Sequence, residues 1–199
     1  MTRVVGVQAG EAGIPAPLVE VAERLGVELE TTERADGDIR IGDVVLTHEA
    51  PVWAFEAAVL RALAPKHVLF LCVANSARSQ IGEGLARAKA PRGVRISSAG
   101  SEPTRVRPQA IQVLAEVGID ASDHESNGVD DVERNVDAVI TLCAEEVCPV
   151  WLGSADRLHW GLPDPAGSSP DPDEELQAFR DVREELDHRL RVLFQGGRV

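Results

Sequence analysis

From His67 to the C-terminus, short apolar runs alternate with segments in which apolar residues recur at helical spacing. The runs predict strands at His67–Cys72, 94–98, 136–142 and 157–160. Helices are predicted after the first strand, from Pro108 to Gly118, and from Pro172, with Asp171 as the cap of the last helix. Such alternation is typical of an α/β fold. We therefore expect a doubly wound four-stranded parallel sheet.

Residues 1–65 carry a shorter pattern of the same kind. Strands are predicted at 4–7 and 44–46, and helices before Gly26 and before Pro65. This indicates a small N-terminal α/β extension, with domains at 1–65 and 66–199. This extension could serve interaction or dimerisation, or it could add layers to the main core.

Composition narrows the functional classes. The 199 residues carry a formal net charge of −13, which argues against nucleic acid or an anionic membrane as a partner. No apolar stretch reaches the ~20 residues that span a bilayer, and the apolar run at the N-terminus is too short for a signal peptide. We expect a cytoplasmic protein, in which Cys72, Cys143 and Cys148 are catalytic, redox-active or metal-binding rather than structural disulfides.

The sharpest chemical signal is the stretch from Cys72 to Ser79, between a buried strand and a helix. A short loop entering a helix N-terminus directs successive backbone N–H groups at one anion. Arg78 could grip two of its oxygens, while Ser79 could donate a hydrogen bond to the thiolate of Cys72, the predicted nucleophile. Alternatively, Cys72 is a buried strand-end cysteine and Arg78 a solvated helix residue. The predicted oxyanion-binding residues are Val73, Ala74, Asn75, Ser76, Ala77 and Arg78.

The segment CVANSARSQ resembles the phosphate-binding loop of low-molecular-weight protein tyrosine phosphatases and of the arsenate reductases built on the same fold. The resemblance covers residues 67–194 and includes Ser98-Ala99-Gly100. It implies that Cys72 is the nucleophile, Arg78 the anion clamp, Asn75 a loop-shaping residue and Ser79 the thiolate partner. It also implies that Asp164, followed by Pro165, is the general acid that protonates the leaving oxygen, although Asp-Pro pairs are common in ordinary turns.

The stretch from Thr141 to Pro149 contains Cys143 and Cys148 and separates two enzyme classes. A reductase must supply two electrons, and thiols can provide them. A phosphatase has no use for two further cysteines. The stretch resembles the redox segment of thioredoxin-linked arsenate reductases, which implies that Cys143 resolves the arsenic adduct and Cys148 accepts the disulfide. Alternatively, Cys143 is a core cysteine, or Cys143 and Cys148 together form half of a zinc site.

We therefore expect an arsenate reductase that needs no metal or cofactor. Its partners would be arsenate, with phosphate as a competing anion, and thioredoxin or another thiol reductant. The alternative is a phosphatase acting on phosphotyrosine or a small phosphoester, and a third possibility is an arsenic-binding or redox-sensing protein without turnover. Some family members bind a monovalent cation with the help of an aspartate that follows a serine in this region. Residues 124–127 read His-Glu-Ser-Asn here, without that aspartate, so we do not expect such a site.

Overall fold

The computed structural model describes residues 2–33, 37–144 and 149–199. The chain divides into two compact units. One comprises Met1–Pro65 together with Arg189–Val199, and the other comprises Lys66–His188. None of the helices in the described ranges is long and apolar enough to cross a membrane.

The first unit is built on a sheet that opens with two parallel strands. Strand β1 (Arg3–Ala9) pairs with β2 (Val27–Glu33) throughout, and the short strands β3 (Ile39–Ile41) and β4 (Val44–Leu46) continue the sheet as an antiparallel pair. Alternate residues of β1 are buried, as expected for a strand with one face toward the core. The elements are β1 Arg3–Ala9, α1 Ala16–Arg24, β2 Val27–Glu33, β3 Ile39–Ile41, β4 Val44–Leu46 and α2 Val52–Leu63.

The sequence predicted only part of this sheet. The strand at 44–46 and both helices are present, and the strand predicted at 4–7 lies within β1. The predicted order of strand, helix, strand, helix is wrong, because β2 and β3 intervene. In β2 only the first residue is buried, and β2 lies at the edge of the sheet. A polar edge strand does not show the apolar run on which the prediction relied.

The second unit contains the predicted parallel sheet. Its four strands are β5 His67–Cys72, β6 Arg95–Gly100, β7 Ala138–Cys143 and β8 Asp156–Leu162. They lie in the order β6-β5-β7-β8, and all neighbouring pairs are parallel. The four predicted strands are confirmed, the first at its predicted bounds and the other three with ends displaced by one or two residues. The elements are β5 His67–Cys72, α3 Arg78–Lys89, β6 Arg95–Gly100, α4 Pro108–Ala115, β7 Ala138–Cys143, β8 Asp156–Leu162 and α5 Pro172–Gln195.

The strand order creates a crevice at the end of β5. The chain passes from β5 to β6 on one side and then to β7 on the other side of β5. Ligands of open α/β sheets bind at such a switch point, beyond the carboxyl ends of the strands. Cys72 is the last residue of β5 and pairs with Gly100, while Leu71 pairs with Thr141. The predicted nucleophile therefore lies at the switch point.

The C-terminal residues belong to the first unit. Gly197–Arg198 forms strand β9 beside β4, and Leu190 and Leu193 near the end of α5 are buried. The Arg61 guanidinium donates a hydrogen bond to the carbonyl oxygen of Leu193 (3.1 Å). The sequence pattern predicts that 189–199 belong to the domain starting at residue 66, because the apolar face of α5 continues without a break. The domain boundaries themselves stay a prediction.

Candidate active site

The segment between Cys72 and Arg78 forms a tight loop that ends in helix α3. Asn75 has a φ of 46°, in the left-handed region, which asparagine tolerates better than most residues. Its side chain is fully buried, and its amide oxygen accepts hydrogen bonds from Gln80 Nε2 (3.1 Å) and the backbone N–H of Asn127 (2.7 Å). Both the backbone conformation and the side-chain hydrogen bonds of Asn75 thus contribute to the shape of the loop, and its role in anion binding stays a prediction.

Backbone carbonyls of this oxyanion loop are hydrogen-bonded by a second segment, residues 102–107. The bonds run from the N–H groups of Glu102, Thr104 and Arg107 to the carbonyls of Val73, Ala74 and Ser76, with lengths of 2.9–3.0 Å. In a trans peptide, the C=O of one residue and the N–H of the next point in opposite directions. Because these carbonyls face the bracing segment, the N–H groups of Ala74, Asn75 and Ala77 point away from it. These are the groups that an oxyanion needs.

Gly100, at the end of β6, permits this close packing. A Cβ at this position would lie 2.3 Å from the carbonyl oxygen of Val73 and 2.8 Å from the backbone nitrogen of Asn75. Any side chain would therefore displace the backbone of the oxyanion loop. The Ser98-Ala99-Gly100 pattern seen in the sequence has a steric reason at its last residue.

A chain of hydrogen bonds links Cys72 to Ser79, and either of these two side chains could be the donor in their contact. Cys72 Sγ lies 2.9 Å from Ser79 Oγ, and Asn75 Nδ2 donates to Ser79 Oγ (2.8 Å) and to Ser98 Oγ (2.7 Å). Ser98 in turn donates its proton to the carboxylate of Glu83. Since Ser79 Oγ accepts from Asn75, its own hydrogen is available for the sulfur. The geometry suits stabilisation of a thiolate on Cys72.

Arg78 connects the oxyanion loop with the segment that follows β8. Its side chain is buried, Nη1 donates to the carbonyl oxygen of Leu162 (3.1 Å), and Nη2 donates to Asp164 Oδ2 (3.0 Å). The side chain of Asp164 is 42% exposed, and its Oδ1 accepts the backbone N–H of Ala166 (3.2 Å). The structure therefore brings the predicted clamp and the predicted acid into direct contact.

The later cysteines are only partly covered by the structure. Cys143 is buried at the end of β7, the strand next to β5. Because Leu71 pairs with Thr141, Cys72 and Cys143 both lie at the carboxyl edge of neighbouring parallel strands. Cys148 lies outside the described residues. Of the six predicted catalytic residues, five are thus placed at one edge of the sheet.

Several residues that support the loop are not indicated by the sequence pattern. Gln80 Nε2 and the Ser126 hydroxyl both donate to the backbone carbonyl of Asn75. The segment 124–127, read from sequence as a departure from a cation site, thus braces the oxyanion loop through Ser126 and Asn127. Glu83 could have been noticed, because it is an acidic residue on the buried stretch of α3, four residues after Ser79. Within 2–33, 37–144 and 149–199, no group of three His, Cys, Asp or Glu side chains could hold a metal ion.

Comparisons with known proteins agree with this geometry. Residues 67–196 match the sequence model of the family described as low molecular weight phosphotyrosine protein phosphatase. The chain is 38% identical over 136 residues to the arsenate reductase of Bacillus subtilis, covering 67% of this chain and 98% of that protein. The crystal structure of an arsenate reductase from Archaeoglobus fulgidus aligns with a TM-score of 0.53 at 30% identity, covering 62% of this chain and 98% of that one. An arsenate reductase in the phosphate binding state aligns with the same TM-score at 35% identity, covering 65% and 97%.

Proposed function

Because the chain belongs to the low molecular weight phosphotyrosine protein phosphatase family, we propose that it is an arsenate reductase whose nucleophile is Cys72. The observation that carries the proposal is the second thiol, Cys143, which ends the strand next to the one that ends at Cys72. The arsenate reductases of the comparisons, at 36–39% identity over nearly their whole length, support the same choice.

In the first step, the oxyanion loop would bind arsenate through inward N–H groups and the guanidinium of Arg78. The thiolate of Cys72 attacks arsenic(V), and an oxygen leaves as water after protonation by Asp164. The contact between Arg78 and Asp164 (3.0 Å) supports the placement of this residue, because it holds the carboxyl group at the edge of the anion site. Ser79 stabilises the thiolate before attack.

In the second step, the sulfur of Cys143 would attack the sulfur of Cys72. The S–S bond forms as the S–As bond breaks, its electron pair passes to arsenic, and arsenite leaves. Two thiols thus supply the two electrons that convert arsenic(V) to arsenic(III). Cys148 then exchanges with the new disulfide, which gives Cys143–Cys148 and restores Cys72. Thioredoxin or another thiol reductant would reduce this disulfide, which requires a reducing compartment such as the cytoplasm.

The rival function is hydrolysis of phosphotyrosine or a small phosphoester. It would use the same loop and the same acid, with water attacking the Cys72 phosphoenzyme, and Cys143 would be a spectator. The low aromatic content of 4% and the absence of tyrosine leave little material for an aryl-binding rim. This favours a small inorganic oxyanion over an aryl phosphate as substrate.

The deciding experiment compares arsenate turnover, coupled to thioredoxin and thioredoxin reductase, with hydrolysis of p-nitrophenyl phosphate by the same preparation. We expect arsenate turnover to dominate and Cys72→Ser to abolish both activities, because a serine hydroxyl stays protonated where a thiol ionises. Phosphoester hydrolysis without arsenate reduction would select the phosphatase. Binding of arsenic without either activity would select the non-enzymatic alternative.

A second experiment tests the relay itself. Cys148→Ser should complete one turnover and stall with a Cys72–Cys143 disulfide, because no third thiol remains to accept it. Cys143→Ser should release no arsenite in the first turnover. Mass spectrometry after arsenate treatment and alkylation of the remaining thiols identifies the species that accumulates. Multiple turnover by Cys148→Ser with thioredoxin would reject the three-cysteine relay.

A further inference from the structure

Two arginines stand beside the oxyanion loop and have no part in the chemistry described above. Arg105 and Arg107 are both exposed, and they line a cavity of about 480 Å³ with Thr104, Val106 and Pro108. The volume is ample for a hydrated tetrahedral oxyanion, since one water takes about 30 Å³ in the liquid. This cavity therefore offers room and positive charge for an anion.

The cavity is tied to the oxyanion loop by the backbone. The N–H of Thr104 donates to the carbonyl of Ala74 (3.0 Å), and the N–H of Arg107 donates to the carbonyl of Ser76 (2.9 Å). The two arginines are thus carried on a segment that is hydrogen-bonded to the anion-binding loop at two of its positions. Their position relative to the loop is set by these bonds rather than by a flexible tether.

The charges of Arg105 and Arg107 are not neutralised by ion pairs in the part of the chain that the structure describes. This distinguishes them from Arg78, which contacts Asp164, and from Arg95, which pairs with Glu133. The acidic neighbour on the same segment is Glu102, so residues 101–108 carry a net charge of +1 from two arginines and one glutamate.

The protein as a whole repels the substrate proposed for it. Its net charge of −13 produces a negative electrostatic potential around the protein. Arsenate is itself negatively charged at neutral pH, so this potential opposes its approach. A local positive rim changes this, because charges at a cleft concentrate counter-ions and raise association rates by about 10–10³-fold. The effect extends over a Debye length, about 10 Å at ~0.1 M salt.

We propose that Arg105 and Arg107 form an anion-capture site that collects the tetrahedral oxyanion and passes it to the adjacent oxyanion loop. The inference deepens the proposed function, since it rests on an inorganic oxyanion as substrate. The arginines act by charge on the approach of the anion, and Arg78 remains the group that grips it.

The test measures capture separately from arsenate chemistry. Cys72 is alkylated with iodoacetate, which is an anion, and with iodoacetamide, which is neutral, and the modified Cys72 peptide is quantified by mass spectrometry. We expect the double variant Arg105→Gln and Arg107→Gln to slow iodoacetate about tenfold at ~0.01 M salt, with little change for iodoacetamide. The difference should vanish at ~1 M salt, where the Debye length is about 3 Å.

Two control variants sharpen the result. Replacing both arginines with lysine keeps the charge and should keep fast reaction with iodoacetate. Arg92→Gln removes the same charge from an exposed residue that precedes the opposite end of β6, and it should leave the rates unchanged. Equal slowing by both reagents would show that the loop itself was damaged and would overturn the capture role. Unchanged iodoacetate rates in the double variant would overturn it too.

The arsenate assay then separates the two proposals. If capture operates on the substrate, kcat/KM for arsenate falls in the double variant at low salt and recovers in the lysine variant. If the alkylation pattern is as expected while the unmodified protein reduces no arsenate, the capture site stands and the proposed function fails. If arsenate is reduced but neither reagent distinguishes the variants, the capture site fails and the proposed function stands.

Discussion

Replacing Gly100 with alanine tests how closely β6 must approach the oxyanion loop. The new Cβ would lie 2.3 Å from the carbonyl oxygen of Val73, whereas a carbon and a carbonyl oxygen normally stay at least about 3.3 Å apart. The loop must therefore move by about 1 Å, the difference between those two separations. Both neighbours are backbone atoms, so no change of rotamer can relieve the clash.

A displacement of about 1 Å at reacting groups lowers activity roughly 10²-fold, which corresponds to about 2.7 kcal/mol of transition-state stabilisation. We expect that loss in kcat for arsenate reduction by Gly100→Ala. Protection of Cys72 by phosphate against iodoacetamide should weaken as well, because the N–H groups of the loop are displaced. Both are measured on protein shown to be folded by circular dichroism.

Gly6→Ala is the matched control, because a Cβ on Gly6, in strand β1, would meet no atom within 4 Å. It should retain activity and phosphate binding. Wild-type turnover by a folded Gly100→Ala protein would refute the reasoning, since it would mean that the loop tolerates the shift or that its geometry does not limit the rate.

Arg78→Lys should lose both arsenate turnover and phosphate protection of Cys72 against alkylation, because an ammonium cannot make the planar two-point contact; normal protection would contradict the clamp role. The hydrogen bond from Arg180 lowers the pKa of Glu116 from 4.5 to about 2, so its stabilising effect is full above pH 4.5 and lost as the pH falls through about 2. Glu116→Gln should therefore lower the Tm at neutral pH, and the difference in Tm from wild type should shrink as the pH falls from 4.5 to about 2. A difference in Tm that stays constant over this range would contradict the prediction. The fragment 66–199 should keep the arsenate reductase activity of the full chain per folded molecule, but it should aggregate more readily, because Leu190 and Leu193 lose the rest of the unit to which they belong. A soluble, folded but inactive fragment would show that residues 1–65 take part in the chemistry.

The strand, loop and helix of the candidate site could be predicted from sequence, because the residues that indicate them are close together along the chain. Cys72, Arg78 and Ser79 lie within eight positions, and the buried strand before them and the helix after them are both visible as patterns. A strand, a short loop and a helix N-terminus define an anion site by local geometry alone. The parallel sheet could be predicted as well, because the alternation of strands and helices is also visible as a local pattern along the chain.

The supports of the loop could not be predicted, because they depend on tertiary contacts. Asn75 reaches Ser98 and Asn127, which are 23 and 52 residues away along the chain. The bracing by residues 102–107 uses backbone N–H groups, which every residue except proline has, so no side-chain pattern marks it. In the N-terminal unit, β9 is two residues long and depends on pairing with β4, which no periodicity can reveal.

The contact between Arg78 and Asp164 connects two residues that local sequence motifs indicate separately. They are 86 positions apart, so only the tertiary structure shows that they meet. A guanidinium carries five N–H donors in one plane, so Arg78 can hold the acid and the oxyanion at the same time. The carbonyl of Leu162 fixes the orientation of that plane from β8. The leaving oxygen of a bound anion would then lie near the carboxyl group that we propose as its proton donor. Binding and proton transfer would share one side chain, which explains why a change from arginine to lysine should impair both.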